Sequence, residues 1–326
     1  MTHKVFIDGE AGTTGLQIRQ RLETRTDLTV VSIDPALRKD PAARAELLNS
    51  VDVAILCLPD EGAKEAVSLI TNPDVKVVDP STAHRVDPNW VFGFPEWKPG
   101  HREAIQASKR VSNPGCWSTG FIALMAPLVR AGLMPAEQPL SVHGVSGYSG
   151  GGRGLIEEFE QQPQPAGRQD AFRAYGLNLT HKHLPEMAAY SGLAHAPLFS
   201  PAVGRYAQGM LVEIPLQTWT LPAKPTSAEL RDALAQAYAG ETFVGVASAQ
   251  ACADLQKARA GAGGYNEVLD PEALNGTNRI ELYVFGNDER QQVRLVALLD
   301  NLGKGASGAA VQNLNLMLGL PEGAGL

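Results

Sequence analysis

The chain has 326 residues, 44% of them hydrophobic and 19% charged. At about 150 residues per domain that predicts two domains with ordinary cores and excludes a disordered chain. The formal net charge of −7 excludes a general nucleic-acid binder, which carries a basic stripe, yet leaves small anionic substrates open, because one local pocket can oppose the net charge.

Cys57, Cys116 and Cys252 are too widely and oddly spaced for a disulfide framework or a zinc site, so a reduced, cytoplasmic setting and no metal are expected. The longest strongly apolar run, Phe121 to Val129 with Pro127 inside it, is far short of the roughly 20 residues a membrane span needs. The N-terminus does not read as a signal peptide.

In chain order, Val5 to Asp8 reads as a buried strand and leads into the glycine-rich turn Gly9-Glu-Ala-Gly-Thr-Thr-Gly15. Leu16 to Leu22 reads as a helix, Leu28 to Ile33 as a strand, Ala42 to Leu48 as a helix and Val51 to Leu58 as a strand stopped by Pro59. A helix over Glu61 to Ile70 and a strand over Val75 to Val78 follow. Short apolar strands alternating with helices predict a parallel sheet covered on both faces. After Cys116 the pattern changes. Trp117 to Ala131 reads as one helix with Gly132 just past its end, and Gly144 to Gly154 is glycine-rich. Gln208 to Leu216, Asn278 to Phe285 and Gln291 to Leu298 are longer, partly alternating strands. The last two are joined by the hairpin-like turn Gly286-Asn287-Asp288-Glu289, which predicts a mainly antiparallel sheet. Helical spacing resumes in the tail from Asn301.

The GxxGxxG turn is not the GxGxxG fingerprint, but the physics is shared. Glycines admit a pyrophosphate close to the backbone, and the following helix N-terminus offers free N–H groups. Gly9, Gly12 and Gly15, with the hydroxyls of Thr13 and Thr14, are therefore the candidate dinucleotide cradle. Asp34, at the end of the second strand, suits a free ribose 2′-hydroxyl as in NAD; Arg38 and Lys39 suit a 2′-phosphate as in NADP. The bland alternative, an ordinary strand–turn–helix corner with a solvated loop beyond, stays open.

Cys116 stands in Asn113-Pro114-Gly115-Cys116, immediately before a helix. The helix macrodipole and free amides stabilise a thiolate there, which marks Cys116 as the nucleophile. Asn113 is placed to donate to an oxyanion. Cys57, inside an apolar strand, reads as a packing residue. A cysteine nucleophile needs a base nearby, and His181-Lys-His-Leu-Pro-Glu186 is the densest polar cluster. Pro185 suits the first turn of a helix running to Tyr190, which leaves His181 and His183 in the lead-in loop.

These pieces resemble the N-acetyl-gamma-glutamyl-phosphate reductase family in its shorter, type 2 form. The matching segments are the turn at 9–15, Asp79-Pro-Ser-Thr-Ala-His-Arg85, Phe92-Gly-Phe-Pro-Glu96, Asn113-Pro-Gly-Cys116, Ser146-Gly-Tyr-Ser-Gly150 and the cluster at 181–186. They appear in family order across nearly the whole chain. The chain departs from the family in Trp117, where Tyr is usual, and in Thr82-Ala83-His84. Such departures leave N-acetyl-aminoadipyl phosphate, or the related aspartyl phosphate, open as the substrate.

The resemblance implies an α/β protein with a Rossmann-like NADP-binding domain, residues 1–116 and 301–326. The inserted catalytic and dimerisation domain is α+β, residues 117–300. It implies an arginine-biosynthetic, NADPH-dependent reduction of N-acetyl-L-glutamyl 5-phosphate through a Cys116 thioester, with His181, ahead of His183, moving the proton. Ser81, Arg85 and Glu186 are implied at the substrate. Ser146, Gly147, Asn301 and Lys304 are implied near the cofactor, and a homodimer or homotetramer as the assembly. Two rival classes keep part of the pattern: a thiol acyl-transferase or hydrolase, which has no use for the glycine turn, and a nucleotide-binding sensor, which has no use for Cys116.

Overall fold

The computed structural model describes residues 2–160, 170–256 and 268–326. The chain divides into two units. The first comprises Met1–Pro95, Pro99–Gly115 and Gly305–Leu326. Its elements are β1 (His3–Asp8), α1 (Thr13–Leu22), β2 (Leu28–Val31), α2 (Pro41–Ser50), β3 (Val53–Leu56), α3 (Asp60–Leu69), β4 (Lys76–Asp79), β5 (Val91–Phe92), α4 (His101–Ala107) and β6 (Arg110–Ser112), closed by a C-terminal helix, Gly308–Leu318. The strands form one parallel sheet in the order β2-β1-β3-β4-β6-β5.

Both faces of that sheet are covered, which explains why its strands are apolar without alternation. Val5 and Ile7 of β1 pack with Ile18, Leu22, Val311 and Leu314. Phe6, between them, points the other way and packs with Leu48, Ala54, Ala63 and Ala66. Asp40 caps α2 by accepting from the N–H groups of Ala42 and Ala43, with Pro41 in the first turn.

The second unit comprises Glu96–Lys98 and Cys116–Lys304. Its elements are α5 (Cys116–Arg130), β7 (Ser141–Gly147), α6 (Gly152–Glu160), β8 (Phe172–Ala174), α7 (Leu184–Ser191), β9 (Leu198–Gly204), β10 (Met210–Gln217), α8 (Ser227–Ala237), β11 (Val244–Val246), α9 (Ala249–Gln256), β12 (Ile280–Asn287) and β13 (Gln292–Leu299). The seven strands run β11-β12-β13-β10-β7-β9-β8. Four of the six pairings are antiparallel; β7 with β9 and β11 with β12 are parallel. Helix α5 crosses one face so closely at Gly120 that a Cβ there would lie 2.8 Å from the Val212 side chain. Among the described residues no helix is long and apolar enough to cross a membrane.

The structure adds detail to three stretches of the sequence. In the glycine-rich stretch from 144 to 154, Ser146 and Gly147 end strand β7, a 3₁₀ turn follows, and Gly152 opens α6. Cys116, Asn301 and Lys304 lie in the second unit. β12 and β13 form the expected antiparallel hairpin, whose turn is a 3₁₀ turn, Asp288–Arg290, followed by Gln291 at φ 50°.

Candidate active site

In the first unit, Gly9 ends β1 at φ +88°, and a Cβ there would sit 2.2 Å from the Cys57 carbonyl oxygen. At Gly15 a Cβ would meet the Gly9 carbonyl at 2.6 Å. Both glycines are thus demanded by the turn itself. Gly12 is different. It precedes α1 in an ordinary extended conformation, φ −79°, and its nearest obstacle to a Cβ is at 3.4 Å. The fold tolerates a side chain at 12, and its absence leaves the N-terminus of α1 open. No side chain caps that terminus, and Thr13 and Thr14 are its first residues. Such a cradle fits a dinucleotide pyrophosphate.

In the second unit, Cys116 is the first residue of α5 and is half-buried. Trp117 packs where Gly144 leaves room: a Cβ at 144 would lie 2.2 Å from the indole. The Trp117 Nε1 donates to the Tyr175 hydroxyl at 3.0 Å. Burial, followed by the charge of Cys116, pushes the Tyr175 phenol up to about 12. The His181 ring lies 5.9 Å from Tyr175, 5.0 Å from Phe199 and 4.7 Å from His183. The backbone N–H of His183 donates to His181 Nδ1 at 3.1 Å, so the neutral ring carries its proton on Nε2. His183 is buried, at 4% exposure; His181 is partly open. The Cys116 thiol, a partly open imidazole and the aromatic side chains of Trp117, Tyr175 and Phe199 therefore lie within one unit. Among the described residues no group of three or more His, Cys, Asp or Glu side chains gathers as a metal would require.

Residues 116–301 match the model of the semialdehyde dehydrogenase dimerisation domain, and residues 33–107 that of the semialdehyde dehydrogenase NAD binding domain. N-acetyl-gamma-glutamyl-phosphate reductase 2 of Nostoc sp. is 55% identical, covering 99% of both chains. N-acetyl-gamma-glutamyl-phosphate reductase of Mesorhizobium japonicum is 53% identical, over 98% of this chain and 100% of its own. The chain belongs to the N-acetyl-gamma-glutamyl-phosphate reductase family. Its fold is also that of aspartate semialdehyde dehydrogenase II from Vibrio cholerae, with TM-score 0.70 at 15% identity over 98% of this chain and 99% of the other. Aspartate semialdehyde dehydrogenase with NADP from Candida albicans has TM-score 0.62 at 13% identity, again over 98% and 99%.

Several residues that the family resemblance marks as ligand contacts make internal bonds in this member of the family. The Ser81 hydroxyl donates to Asp79 at 2.8 Å and accepts from the Ala83 N–H at 3.1 Å. Arg85 is buried and donates to the carbonyls of Asn113 at 3.2 Å and Pro80 at 2.9 Å. It thereby holds the loop leading to Cys116. The Asn113 amide donates to the Ala306 carbonyl and accepts from Asn313, each at 3.0 Å, so its role is also to fix that loop. Asn301 accepts from the Gly209 N–H at 2.7 Å and donates to Ser149 at 3.0 Å. The Lys304 ammonium is sealed against Glu96 at 2.8 and 2.9 Å. The Ser146 hydroxyl donates to the Gly147 carbonyl at 3.1 Å, and Gly147 is a glycine because a Cβ would lie 2.5 Å from the 207–208 backbone. Glu186 is 1% exposed in the first turn of α7, where a carboxylate suits the helix dipole. Asp34, Arg38 and Lys39 are exposed; Asp34 accepts from the Ala36 N–H at 2.9 Å.

Sequence reasoning missed Tyr175 and Phe199, which come from 59 and 83 residues beyond Cys116 and carry no motif. His84 enters the sequence reading only as part of a departure from the family pattern. Its Nδ1 lies 2.6 Å from the buried Asp79 carboxylate, and its ring stacks on Trp90 with centroids 4.2 Å apart. The only advance signal was adjacency to Asp79-Pro-Ser81.

Proposed function

We propose that this chain reduces N-acetyl-L-glutamyl 5-phosphate to N-acetyl-L-glutamate 5-semialdehyde and phosphate, using NADPH, through a thioester on Cys116. The observation that carries this reading is a thiol at the N-terminus of α5 in the same unit as the partly open His181 ring, in a chain 55% identical over its length to a protein of that name.

The steps follow from the residues. The Cys116 thiolate attacks the acyl carbon, the carbon–oxygen bond to phosphate breaks, and phosphate leaves with that electron pair. Gly9, Gly12, Thr13, Thr14 and Gly15 would hold NADPH, which would supply the hydride that reduces the thioester. His181 offers Nε2–H to the oxyanion of the thiohemiacetal. When the carbon–sulfur bond breaks, the aldehyde leaves and the thiolate returns. The aromatic walls Trp117, Tyr175 and Phe199 limit water at the thioester, which would otherwise hydrolyse.

A thiol of this kind must stay reduced, which supports a cytoplasmic setting. A homodimer or homotetramer is the assembly we propose. Leu211, Val296 and Leu298 share one sheet face with Tyr283 and Phe285, and that domain matches a dimerisation model.

The test is the reverse reaction. N-acetyl-glutamate semialdehyde, phosphate and NADP should yield NADPH absorbance, and Cys116→Ser should abolish it while NADP still binds. Turnover only with the one-carbon-longer or unacetylated aldehyde would reassign the substrate. Thioester formation without any NADP(H) binding would replace the reading with acyl transfer.

A further inference from the structure

The adenosine ribose of a dinucleotide bound at such a glycine turn lies near the end of the second strand. In the first unit, Ser32 directly follows β2, Arg19 reaches it from α1, and Glu10 reaches it from the glycine turn. Arg19 Nη1 donates to the Ser32 hydroxyl at 2.6 Å and to Glu10 Oε2. The Ser32 hydroxyl in turn donates to the same Glu10 oxygen at 3.0 Å. One carboxylate oxygen thus sits on both a guanidinium and a hydroxyl, a place that a phosphate oxygen would fill equally well. A guanidinium accepts carboxylate or phosphate through the same N–H fork. The pair is open to solvent, with side-chain exposure of 37% for Arg19 and 27% for Glu10.

We propose that Arg19 and Ser32 are the 2′-phosphate subsite. Glu10 occupies it as an internal anion until NADPH displaces it, and so sets the discrimination against NADH. This rests on the reading of the glycine turn as a dinucleotide cradle. The charge logic favours NADPH. A 2′-phosphate carries about −1.5 to −2 charges at pH 7 and three acceptor oxygens, enough to compete with one carboxylate for Arg19. A bare 2′-hydroxyl has no charge with which to displace Glu10. Glu23, 3.7 Å from Arg19 Nε, gives the guanidinium a second acidic neighbour and raises the threshold that an incoming ligand must pass. Arg38 and Lys39, which the sequence pointed to, lie in the exposed stretch beyond Asp34 and have no part in this contact.

The experiment is direct binding, without turnover, of 2′,5′-ADP and 5′-AMP by calorimetry, with NADPH and NADH followed by nicotinamide fluorescence. A hydrogen bond to a charged group contributes about 1.5–3 kcal/mol. Arg19→Leu should therefore weaken 2′,5′-ADP by roughly 10- to 100-fold and leave 5′-AMP within about threefold. Arg19→Lys should fall between. Glu10→Gln should tighten 2′,5′-ADP and NADPH several-fold without tightening 5′-AMP or NADH. Circular dichroism spectra matching the wild type keep these effects at the subsite. Equal losses for both probes in Arg19→Leu would overturn the proposal. So would unchanged 2′,5′-ADP binding there alongside a loss in Arg38→Ala or Lys39→Ala. If the unaltered protein binds neither probe, the cradle reading fails and the subsite falls with it; if it binds 5′-AMP alone, only the subsite fails.

Discussion

The backbone N–H of His183 donates to the ring of His181 at Nδ1, 3.1 Å away. That bond occupies one imidazole nitrogen as an acceptor and leaves Nε2–H as the working end. A second proton could enter only at Nδ1 and would end the bond. On the reading proposed above, His181 donates that Nε2–H toward the oxyanion. His181→Ala should lower kcat by about 10²–10⁴. His181→Gln, which keeps an N–H near the Nε2 position, should recover roughly tenfold of that loss. Equal kcat for the two variants would show that proton transfer, not donation of a hydrogen bond, is what the ring supplies.

The three glycines of the phosphate turn should separate by mutation. Gly12→Ala meets only the Gly9 carbonyl oxygen, at a van der Waals distance of 3.4 Å, and an ordinary φ, so its melting temperature should match the parent's while NADPH affinity drops. Gly9→Ala drives a methyl group into the Cys57 carbonyl at positive φ, so the unit itself should lose stability by more than 1 kcal/mol. Calorimetry and cofactor titration on both variants check this. A Gly12→Ala protein that binds NADPH normally would remove the argument for that position.

Much of this contrast could be read in the sequence, and the reasons are local. The strand of Val5, Phe6 and Ile7, the turn after it, and a cysteine at a helix start each depend on neighbours a few residues away, so pattern alone locates them. β5 and β6 span two and three residues, too short for any periodicity to register. Tyr175 and Phe199 reach His181 only because β8, β9 and the lead-in to α7 converge, which no spacing encodes. Ser81, Arg85, Asn113 and Lys304 show the opposite limit. Their chemistry suits a ligand, but burial gives them intramolecular partners, and a sequence carries no record of which partner wins.

Lys304 and Glu96 illustrate the cost of such pairing. Their side chains are 1% and 0% exposed, and Lys304 also lies 5.5 Å above the Phe243 ring. Removing one charge takes from the other its buried counter-charge. Glu96→Leu or Lys304→Met alone should therefore cost about 3–5 kcal/mol, while the double variant, which buries no lone charge, should recover most of that. Chemical denaturation of the three variants measures it. Additive losses in the double variant would mean that the pair is not coupled.

Tyr175 predicts an alkaline effect. Its phenol is pushed up to about 12 by burial and then by Cys116, whereas in an unfolded chain it ionises near 10. Between these values only the unfolded chain releases the proton, so the stability present below about pH 10 is lost as pH rises toward 12. The melting temperature should fall less steeply across that window in Tyr175→Phe than in the parent. Cys116→Ser, by removing the second cause, should move the phenol transition at 295 nm to lower pH.

The three thiols should differ sharply in reactivity. All three are outside disulfides, so the difference lies in environment. Cys57 is pushed far up by burial, then by the charges of Asp79 and Asp8, which keeps it protonated. Cys252 is 3% exposed and out of reach of a reagent. Cys116 stands half-open at the N-terminus of α5, where the helix favours the thiolate. Brief iodoacetamide treatment at pH 7 should place a single label on Cys116 and abolish turnover in step. Cys116→Ser should stay unlabelled until the protein unfolds. Labelling of Cys57 or Cys252 at a comparable rate in the folded protein would contradict the assignment of Cys116 as the nucleophile.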